Sequence, residues 1–460
     1  MRRVVFFRRD LPWETAVIPV GAASVNSLCL LAAPGGQGKN FADSEEFQMH
    51  TTKRTWFLRI AIACCLVSLL ASAPFTARAG KRNKIVKKMA RVLSHVNPGD
   101  PLAGLSAQDV ALFFQGRDNF NDEETVEDGL GPAYNGTSCS VCHSIPAIGG
   151  SGIILETRAA RENSDGTMQE LADGSLFRHF SIPDHQCQPI LPPEANIIAR
   201  RIALPIFGDG LVEAIPDAQI LAHEDPNDRN HDGISGRANI LLDVATGRHR
   251  VGRFGWKAQQ ATLLAFAGEA YRNENGITND LFPDELKTGL SPAQFATCAP
   301  VGPPEDVVRD ETGIRAIDDF ENFMRMLAPL PRGSVGASEF YGEVLFGAVG
   351  CASCHVPSMT TGPSQNPVFN RRQVNLFSDL LLHDIGTGDG IPQGHAKPGE
   401  LRTPPLWGVR FRRSLLHDGR SASFADAIQF HRGEANATRQ RFDSLTPAQK
   451  KHLLAFLDSL

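Results

Sequence analysis

Two segments of the chain carry apolar residues at the spacing of an amphipathic helix. The first covers residues 106–120 and the second covers residues 337–349. The apolar positions that carry the first pattern are Val110, Phe113 and Phe114. Those expected to share one face of the second segment are Phe340, Val344 and Phe346. Because each segment precedes a pair of closely spaced cysteines, the pattern predicts a helix before each pair.

The end of the chain shows the same periodicity behind a clear helix start. Residues 446–449, Thr-Pro-Ala-Gln, form a capping box with proline at the first helical position. The apolar positions that follow at helical spacing are Leu453, Phe456, Leu457 and Leu460. We therefore predict a terminal helix whose apolar face packs into the core.

An apolar run near the amino end has the form of an export signal. It covers residues 60–73, behind a basic stretch and ahead of the small-x-small pattern at Ala77–Ala79. As a helix this run would rise about 21 Å, short of the ~30 Å hydrocarbon core of a membrane. We therefore predict a signal peptide over residues 49–79 and no membrane span after its cleavage. Since such a signal works at the start of a chain, residues 1–48 are predicted to be a gene-model extension and Met49 the true start.

Composition narrows the class of protein but names no chemistry. The 460 residues are 42% hydrophobic and 21% charged, which allows two or three domains with buried cores. The formal net charge is -5, and no basic stripe favours binding to nucleic acid. With 42 Gly and 30 Pro, the chain favours long, loop-rich connections. These values exclude a collagen, a coiled coil and a polytopic membrane protein.

The nine cysteines divide into three groups. Three precede residue 80, four form two C-x-x-C pairs, and Cys187 and Cys298 remain. In the oxidising compartment that an exported protein reaches, these two could form a disulfide. The alternative is a pair of buried free thiols.

The chemistry of the chain is concentrated in two C-x-x-C-H motifs, CSVCH at 139–143 and CASCH at 351–355. This is the attachment motif of c-type haem, in which two thiols bond to the porphyrin and the histidine is the proximal iron ligand. We therefore predict two covalently attached haem c groups. The predicted attachment residues are Cys139, Cys142, Cys351 and Cys354. The predicted proximal ligands are His143 and His355.

Two other chemistries of paired cysteines fit less well. A structural zinc site needs four ligands around one ion, and the two triplets are 212 residues apart. A thioredoxin-like pair needs a βαβ context, and none precedes either motif. We therefore interpret both motifs as haem-attachment motifs.

With these motifs the chain resembles the di-haem c-type oxidoreductases, a family often labelled peroxidases or thiol oxidoreductases and related to bacterial di-haem cytochrome c peroxidases. The resemblance covers residues 105–460. The stretches that carry it are GLGP at 129–132 with CSVCH, GRFGWKA at 252–258, LLLHDIG at 380–386, RTPPLWG at 402–408, LLHDGR at 415–420 and the terminal FLDSL. The helices predicted before the second motif and at the chain end resemble those that cross in class I cytochrome c folds.

The resemblance implies roles for particular residues. In the peroxidase relatives the N-terminal haem reacts with peroxide and the C-terminal haem supplies electrons, which would assign these tasks to the haems of His143 and His355. The tryptophan between the relatives' haems matches Trp256, which could equally be a large core aromatic. Phe266 stands where the relatives have a distal glutamine, and Glu274 falls near their distal glutamate after a two-residue shift. Glu274 could transfer a proton to and from peroxide, or it could be a solvated glutamate at a helix end.

The sixth ligand of the second iron is left open. The relatives place methionine or tyrosine just before an HDG motif, where this chain has Leu416, which cannot bind iron. His383 or His417 could substitute, and an imidazole would lower the potential of that haem. Alternatively, both histidines only hydrogen-bond to propionates or loop carbonyls. The candidates to pair with propionates, with surface placement as the alternative, are Arg402, Arg410 and Arg420.

A loop between the two motifs matches a calcium-binding pattern. Its sequence is DRNHDG at 228–233, which fits D-x-[DN]-x-[DN]-G. The candidate calcium ligands are Asp228, Asn230 and Asp232. The twelfth position of the pattern requires glutamate, and Asn239 stands there. The peroxidase relatives hold calcium near the haem interface, and the alternative is an Asx-rich surface turn.

Together these features predict a mainly α protein with two cytochrome c-like haem domains, at 80–310 and 311–460. A long irregular insertion with some strand is expected at 150–297. We expect a periplasmic or secreted redox enzyme that reduces peroxide or another small oxidant with electrons from a small cytochrome c or a cupredoxin. The alternatives are a non-catalytic electron carrier with six ligands on each iron, and an enzyme that oxidatively modifies a protein or thiol.

Overall fold

The computed structural model describes most of the chain from Asn97 to the C-terminus. The described ranges are 97–172, 174–183, 187–298, 304–308 and 313–460. The predicted extension at 1–48 and the predicted signal peptide at 49–79 lie outside them, as does the predicted domain boundary at 310/311. None of the described helices is both long enough and apolar enough to cross a membrane.

Most helices are short and are separated by long loops, as a chain rich in glycine and proline favours. In chain order the described α-helices are α1 (Ala107–Asn121), α2 (Asp209–Glu213), α3 (Asp217–Leu221), α4 (Leu263–Ala270), α5 (Pro292–Cys298), α6 (Ala316–Met326), α7 (Ala337–Ala348), α8 (Phe424–Gln429), α9 (Asn436–Asp443) and α10 (Pro447–Asp458). A π-helical turn, Tyr271–Asn275, continues α4. The three helices predicted from periodicity correspond to α1, α7 and α10 and are confirmed.

Two of these helices begin at hydroxyl capping residues, of which Thr446 was predicted from the sequence. The Ser106 hydroxyl accepts a hydrogen bond from the backbone N–H of Asp109 at the start of α1, at 3.1 Å. The Thr446 hydroxyl accepts one from the backbone N–H of Gln449 at the start of α10, at 3.3 Å. Each bond satisfies an N–H that has no partner within the helix.

The strands form small antiparallel sheets. They are β1 (Ala133–Tyr134), β2 (Leu155–Glu162), β3 (Met168–Glu170), β4 (Leu176–Phe177), β5 (Phe180–Ser181), β6 (Ile197–Ile202), β7 (Ile240–Asp243), β8 (Arg248–Val251), β9 (Met359–Thr360), β10 (Gln373–Val374), β11 (Leu382–His383) and β12 (Leu401–Arg402). The largest described sheet pairs β2 with β3, β4 and β6. This sheet and the β7–β8 hairpin confirm strand in the insertion at 150–297, so the fold is helical with small sheets rather than uniformly α.

The helix before the first haem motif crosses α6 at a glycine. Gly116 of α1 lies so close to Asp319 of α6 that a Cβ atom would overlap the Asp319 carbonyl oxygen. Beside this crossing, the ring centroids of Phe113 and Phe323 are 5.4 Å apart. Both rings belong to the larger hydrophobic core of the described chain.

The helix before the second motif crosses the terminal helix in the same way. A Cβ atom on Gly342 of α7 would overlap the carbonyl oxygen of His452 in α10. The ring centroids of Phe346 and Phe456 are 5.1 Å apart at this crossing. The residues of the terminal segment that are buried, as predicted, are Leu453, Phe456, Leu457 and Leu460.

The predicted apolar face of α7 requires a correction. Phe346 is buried, but the side chains of Phe340 and Val344 are 59% and 55% exposed. The reason is the glycine crossing, because α7 turns Gly342 and Phe346 towards α10 and leaves the opposite apolar positions in solvent. The spacing of the large apolar side chains predicted the helix correctly, but it did not predict which face of the helix packs against α10.

A disulfide closes the insertion. Cys187, ahead of β6, is bonded to Cys298 at the end of α5, with Cα atoms 5.8 Å apart. This separation lies within the range that a disulfide can bridge. The expected pairing of the two leftover cysteines is confirmed.

The two glycines of α7 make the helix crossing testable. Gly342→Ala should lower the free energy of unfolding by about 1–3 kcal/mol, because the added methyl group overpacks the contact with His452. The matched control is Gly347→Ala on the same helix, where a Cβ atom meets nothing within 4 Å. That change should be neutral or stabilising by up to about 1 kcal/mol. Denaturant unfolding of both variants measures this, and equal effects would contradict the crossing.

Candidate functional site

The first C-x-x-C-H motif forms a tight turn that presents its histidine to a cavity. Cys139–Val141 is a single 3₁₀ turn, and the backbone N–H of His143 donates to the Cys139 carbonyl at 3.1 Å. The Nδ1 atom of His143 lies 3.0 Å from the Gly150 carbonyl oxygen, so it is the nitrogen that donates. Burial lowers the pKa of His143, which keeps the imidazole neutral. Nε2 therefore retains its lone pair for a metal ion.

The second motif repeats this arrangement. Cys351–Ser353 is a 3₁₀ turn, and the backbone N–H of His355 donates to the Cys351 carbonyl at 2.9 Å. Nδ1 of His355 lies 3.0 Å from the Phe377 carbonyl oxygen. Burial lowers the pKa of His355 to about 4, so this imidazole is also neutral and oriented by Nδ1. Both motifs thus hold their histidine as an iron ligand requires.

Each motif lines a large cavity. The first encloses about 1530 Å³ and the second about 1290 Å³, including the parts open to solvent. In each cavity the two cysteines and the histidine of the motif lie on the wall.

Arginines with buried, unpaired nitrogen atoms face both cavities. Arg201 lines the first cavity, and Arg412 and Arg439 line the second. Each has at least one buried side-chain nitrogen without a hydrogen-bond partner among the described residues. A buried guanidinium nitrogen without a hydrogen-bond partner is unfavourable, and the propionates of haem are anions that could accept from it. The residues present therefore fit a haem in both cavities.

Two of the three predicted propionate partners lie elsewhere. Arg402 lines both cavities, and burial lowers its pKa to about 10. Arg410 instead donates to the Leu460 carbonyl at 2.5 Å, at the end of the chain. Arg420 pairs with the adjacent Asp418. Arg201 and Arg412 were not singled out from the sequence, because no motif distinguishes a buried arginine from a surface one.

Trp256 lies on the wall that the two cavities share. The described residues that line both cavities are Trp256, Arg402 and Pro404. The indole Nε1 donates to the Ile202 carbonyl at 2.8 Å, and the Trp256 carbonyl accepts from the Arg402 N–H at 2.7 Å. The guanidinium of Arg412 lies over the indole, 5.8 Å from the ring centroid. The tryptophan is buried, as a core residue would be, but it is also in the position that a bridge between the cavities needs.

Glu274 lies on the wall of the first cavity, on the π-helical turn that continues α4. Such turns are frequent at functional sites. The backbone N–H of Asn135 donates to the Glu274 carbonyl at 2.7 Å, and the Asn135 side-chain Nδ2 donates to Glu274 Oε2 at 2.8 Å. These two bonds hold the carboxyl group beside the segment that leads into CSVCH.

A second carboxyl group contributes to the raised proton affinity of Glu274. Arg158 donates to both oxygens of Glu156, at 2.9 and 3.0 Å, on the same face of β2. Burial alone would raise the pKa of Glu156, but Arg158 lowers it, so Glu156 is ionised. Burial, followed by the nearby charge of Glu156, raises the pKa of Glu274 to about 7, and the two carboxyl groups hydrogen-bond to each other. Glu274 can therefore hold or release a proton near neutral pH.

Sequence reasoning missed several residues of this polar wall. Asn135, Glu156, Arg158 and Glu269 all line the first cavity. The spacing of two between Glu156 and Arg158 was the available signal, since it places both on one face of a strand. Phe266, where the relatives have glutamine, lines the cavity and stacks on Phe254 with centroids 6.0 Å apart.

Of the candidate distal ligands of the second iron, His383 has no free nitrogen. Its Nε2 lies 2.8 Å from Asp379 Oδ2 and its Nδ1 lies 2.8 Å from Glu434 Oε2. Although burial alone would lower it, these carboxylates hold the pKa of His383 well above its ordinary value. The imidazole is therefore protonated on both nitrogens, and each nitrogen donates a hydrogen bond to a carboxylate. It has no free lone pair for iron.

His417 is buried against the shared wall. Its ring is edge-on to Trp256 with centroids 6.2 Å apart, and its Nδ1 has no hydrogen-bond partner among the described residues. The described residues lining the second cavity include Leu415 and Leu416 but not His417. Its role as a distal ligand stays a prediction.

The candidate calcium residues form one exposed turn. Asp228 accepts from the Gly233 N–H at 3.2 Å, Asn230 from the Asp232 N–H at 3.0 Å, and Asp232 from the Ile234 N–H at 2.9 Å. These bonds are those of an Asx-rich turn. At the twelfth position, the buried Asn239 donates to the Lys257 carbonyl, away from the loop, at 3.0 Å. Calcium binding stays a prediction.

Comparisons with solved structures find distant similarity. Hydrazine synthase of Kuenenia stuttgartiensis is 16% identical, with 80% of this chain and 95% of that chain covered and a TM-score of 0.36. The diheme peroxidase BthA from Burkholderia thailandensis is 18% identical, with 80% and 89% covered and a TM-score of 0.36. A MauG-like protein associated with microbial copper homeostasis is 17% identical, with 61% and 94% covered and a TM-score of 0.28. These scores are too low to establish a shared fold.

A family model decides the relationship. No curated protein matches the chain. The family model described as "Di-haem oxidoreductase, putative peroxidase" matches residues 190–460, more than half of the chain and including the second C-x-x-C-H motif. The chain therefore belongs to the di-haem oxidoreductase family.

Proposed function

We propose that this oxidoreductase is an exported, periplasmic enzyme that reduces peroxide with two covalently attached haem c groups. One haem would be held by Cys139, Cys142 and His143 in the first cavity. The other would be held by the corresponding residues of CASCH in the second. The disulfide between Cys187 and Cys298 supports an oxidising compartment.

The observation that carries this proposal is the difference between the two cavities. Among the described residues, the first cavity is lined by four carboxyl groups, those of Glu156, Asp209, Glu269 and Glu274, and the second by none. Reduction of peroxide to two waters consumes two protons as well as two electrons. Proton donors are therefore needed where peroxide binds and not where electrons enter.

The chain's own residues can manage these protons. When bound, the haems supply the redox chemistry. Glu274 accepts a proton from the incoming peroxide and returns it to the departing oxygen, as a group with a pKa of about 7 can do. Asn135 holds the carboxyl group in place, and the ionised Glu156 sets its proton affinity. Arg158 keeps Glu156 ionised.

Electrons would enter from a small cytochrome c or a cupredoxin and cross the wall at Trp256. The shared wall supports this route, because its indole is the large π-system common to both cavities. A non-catalytic carrier would need a second strong ligand in the first cavity. Met324 lines that cavity, but it lies one turn from Phe320 on α6, whose ring packs on Phe120 beside His143. Met324 is thus carried by the helix that packs beside the proximal histidine.

The first test removes the proton carrier. Glu274→Gln should retain both haems but lose peroxide turnover by about 10²–10⁴-fold, because the amide cannot accept the proton. The matched control is Glu269→Gln, which changes another buried carboxyl group of the same cavity that is hydrogen-bonded to Gln260. It should lose far less activity. Steady-state peroxide reduction with a reduced cytochrome donor measures both, and parental turnover in Glu274→Gln would rule out this role.

The pH profile gives an independent test of the same group. Glu274 must be deprotonated to accept a proton, so kcat/KM for peroxide should rise as the pH increases through about 7. Below that pH the carboxyl group is already protonated, and the rate should fall. In Glu274→Gln this rise should disappear. A parent profile that is flat through neutral pH would contradict the assignment.

The shared wall is tested with two buried tryptophans. Trp256→Phe should slow electron passage from the second haem to the first while leaving peroxide binding unchanged. Trp407→Phe is the matched control, because Trp407 is equally buried but lines only the first cavity. Stopped-flow reoxidation of the fully reduced protein by peroxide separates the two haems spectrally. Equal slowing in both variants would show a packing effect rather than a bridge.

A further inference from the structure

The second cavity contains a histidine that the sequence analysis did not consider. Side chains able to bind iron there, among the described residues, are the motif's own cysteines and histidine, His383 and His431. The two cysteines are committed to the porphyrin if the proposed function is correct. His383 has both ring nitrogens hydrogen-bonded to carboxylates. This leaves His431.

His431 is oriented in the same way as the proximal histidine. It lies two residues beyond the end of α8, and its Nδ1 lies 2.9 Å from the Ala427 carbonyl oxygen, one helical turn earlier. The carbonyl can only accept, so Nδ1 carries the proton and Nε2 keeps its lone pair. In His355 the Phe377 carbonyl fixes Nδ1 in the same role. Both imidazoles thus offer Nε2 from the wall of one cavity.

The two imidazoles lie on the wall of the same cavity. Burial lowers the pKa of His431, so its imidazole is neutral. Apolar residues of the same wall include Leu416, Phe424 and Ile428. None of these three side chains can compete for iron.

We propose that His431 is the second histidine ligand of the iron at the second motif, in addition to His355. This inference rests on the proposed function, since it requires haem at CASCH. It makes the second haem a bis-imidazole site that is closed to peroxide and that has a lower potential than a histidine–methionine site would have. The peroxide reaction is thereby confined to the first cavity.

The test uses the intact protein loaded with both haems, examined in its ferric state by EPR and optical spectroscopy. The parent should show one low-spin haem with two imidazole ligands. His431→Gly should lose that signal and gain a high-spin one, and added imidazole should restore it. The matched control is His417→Gln, a change at another buried histidine, which should keep the parental low-spin signal.

A second variant covers the case in which His431→Gly loses its second haem. His431→Met should retain a low-spin haem but with the spectrum of a methionine ligand and a raised potential, measured by redox titration. A purely structural role for His431 would leave the spectrum and potential of the Met variant unchanged, which would overturn the proposal. So would loss of the bis-imidazole signal in His417→Gln.

Haem content separates failure of this proposal from failure of the proposed function. Two covalent haems per chain with an unaltered low-spin signal in both His431 variants would overturn the ligand assignment alone. A parent protein without covalent haem at CASCH would overturn the proposed function, and the ligand assignment with it. Denaturing gel staining for haem and intact-mass spectrometry distinguish these results.

Discussion

A buried carboxylate, Asp389, holds together the wall on which both cavities depend. Its two oxygens lie 2.7 Å from Arg201 Nε and 3.2 Å from Lys257 Nζ, and all three side chains are almost completely buried. Arg201 precedes Ile202, whose carbonyl binds the indole of Trp256, and Lys257 follows that tryptophan. Removing one member of a buried ion pair leaves an uncompensated charge at a cost of about 3–5 kcal/mol. Asp389 therefore fixes both segments that position the indole.

This wall separates two different electrostatic environments. On one side, Glu274 hydrogen-bonds to the ionised Glu156 beside Arg158. On the other, the described lining has no carboxyl group and carries the unpaired guanidinium of Arg412. An electron can cross an aromatic wall, whereas a proton needs a chain of hydrogen-bonding groups. The proposed electron route thus crosses an aromatic wall, and the carboxyl groups of the described cavity linings lie on one side of that wall only.

Local sequence signals predicted the helices and motifs but not the distant contacts that complete the sites. The capping residue Thr446 and the periodicity after it determine a helix within one segment, so α10 could be predicted. Glu156 and Asn135 are each more than a hundred residues from Glu274 in sequence, and strand pairing and loop packing bring them to the same cavity. No local sequence pattern predicts such contacts. The exposed Phe340 shows the same limit, because the packing face of α7 was decided by a glycine crossing.

The segment that provides an iron ligand in peroxidase relatives has a different task here. Leu416 cannot bind iron and lies in the left-handed backbone region, at a φ of 68°. The backbone carbonyl of the next residue, His417, accepts a hydrogen bond from the Ile202 N–H at 2.7 Å, and the His417 ring packs on Trp256. The HDG segment therefore supports the shared wall from behind the indole. His417 thus supports the shared wall, whereas the proposed iron ligand, His431, lies just after α8. Because wall and ligand belong to separate elements, a substitution in one need not disturb the other.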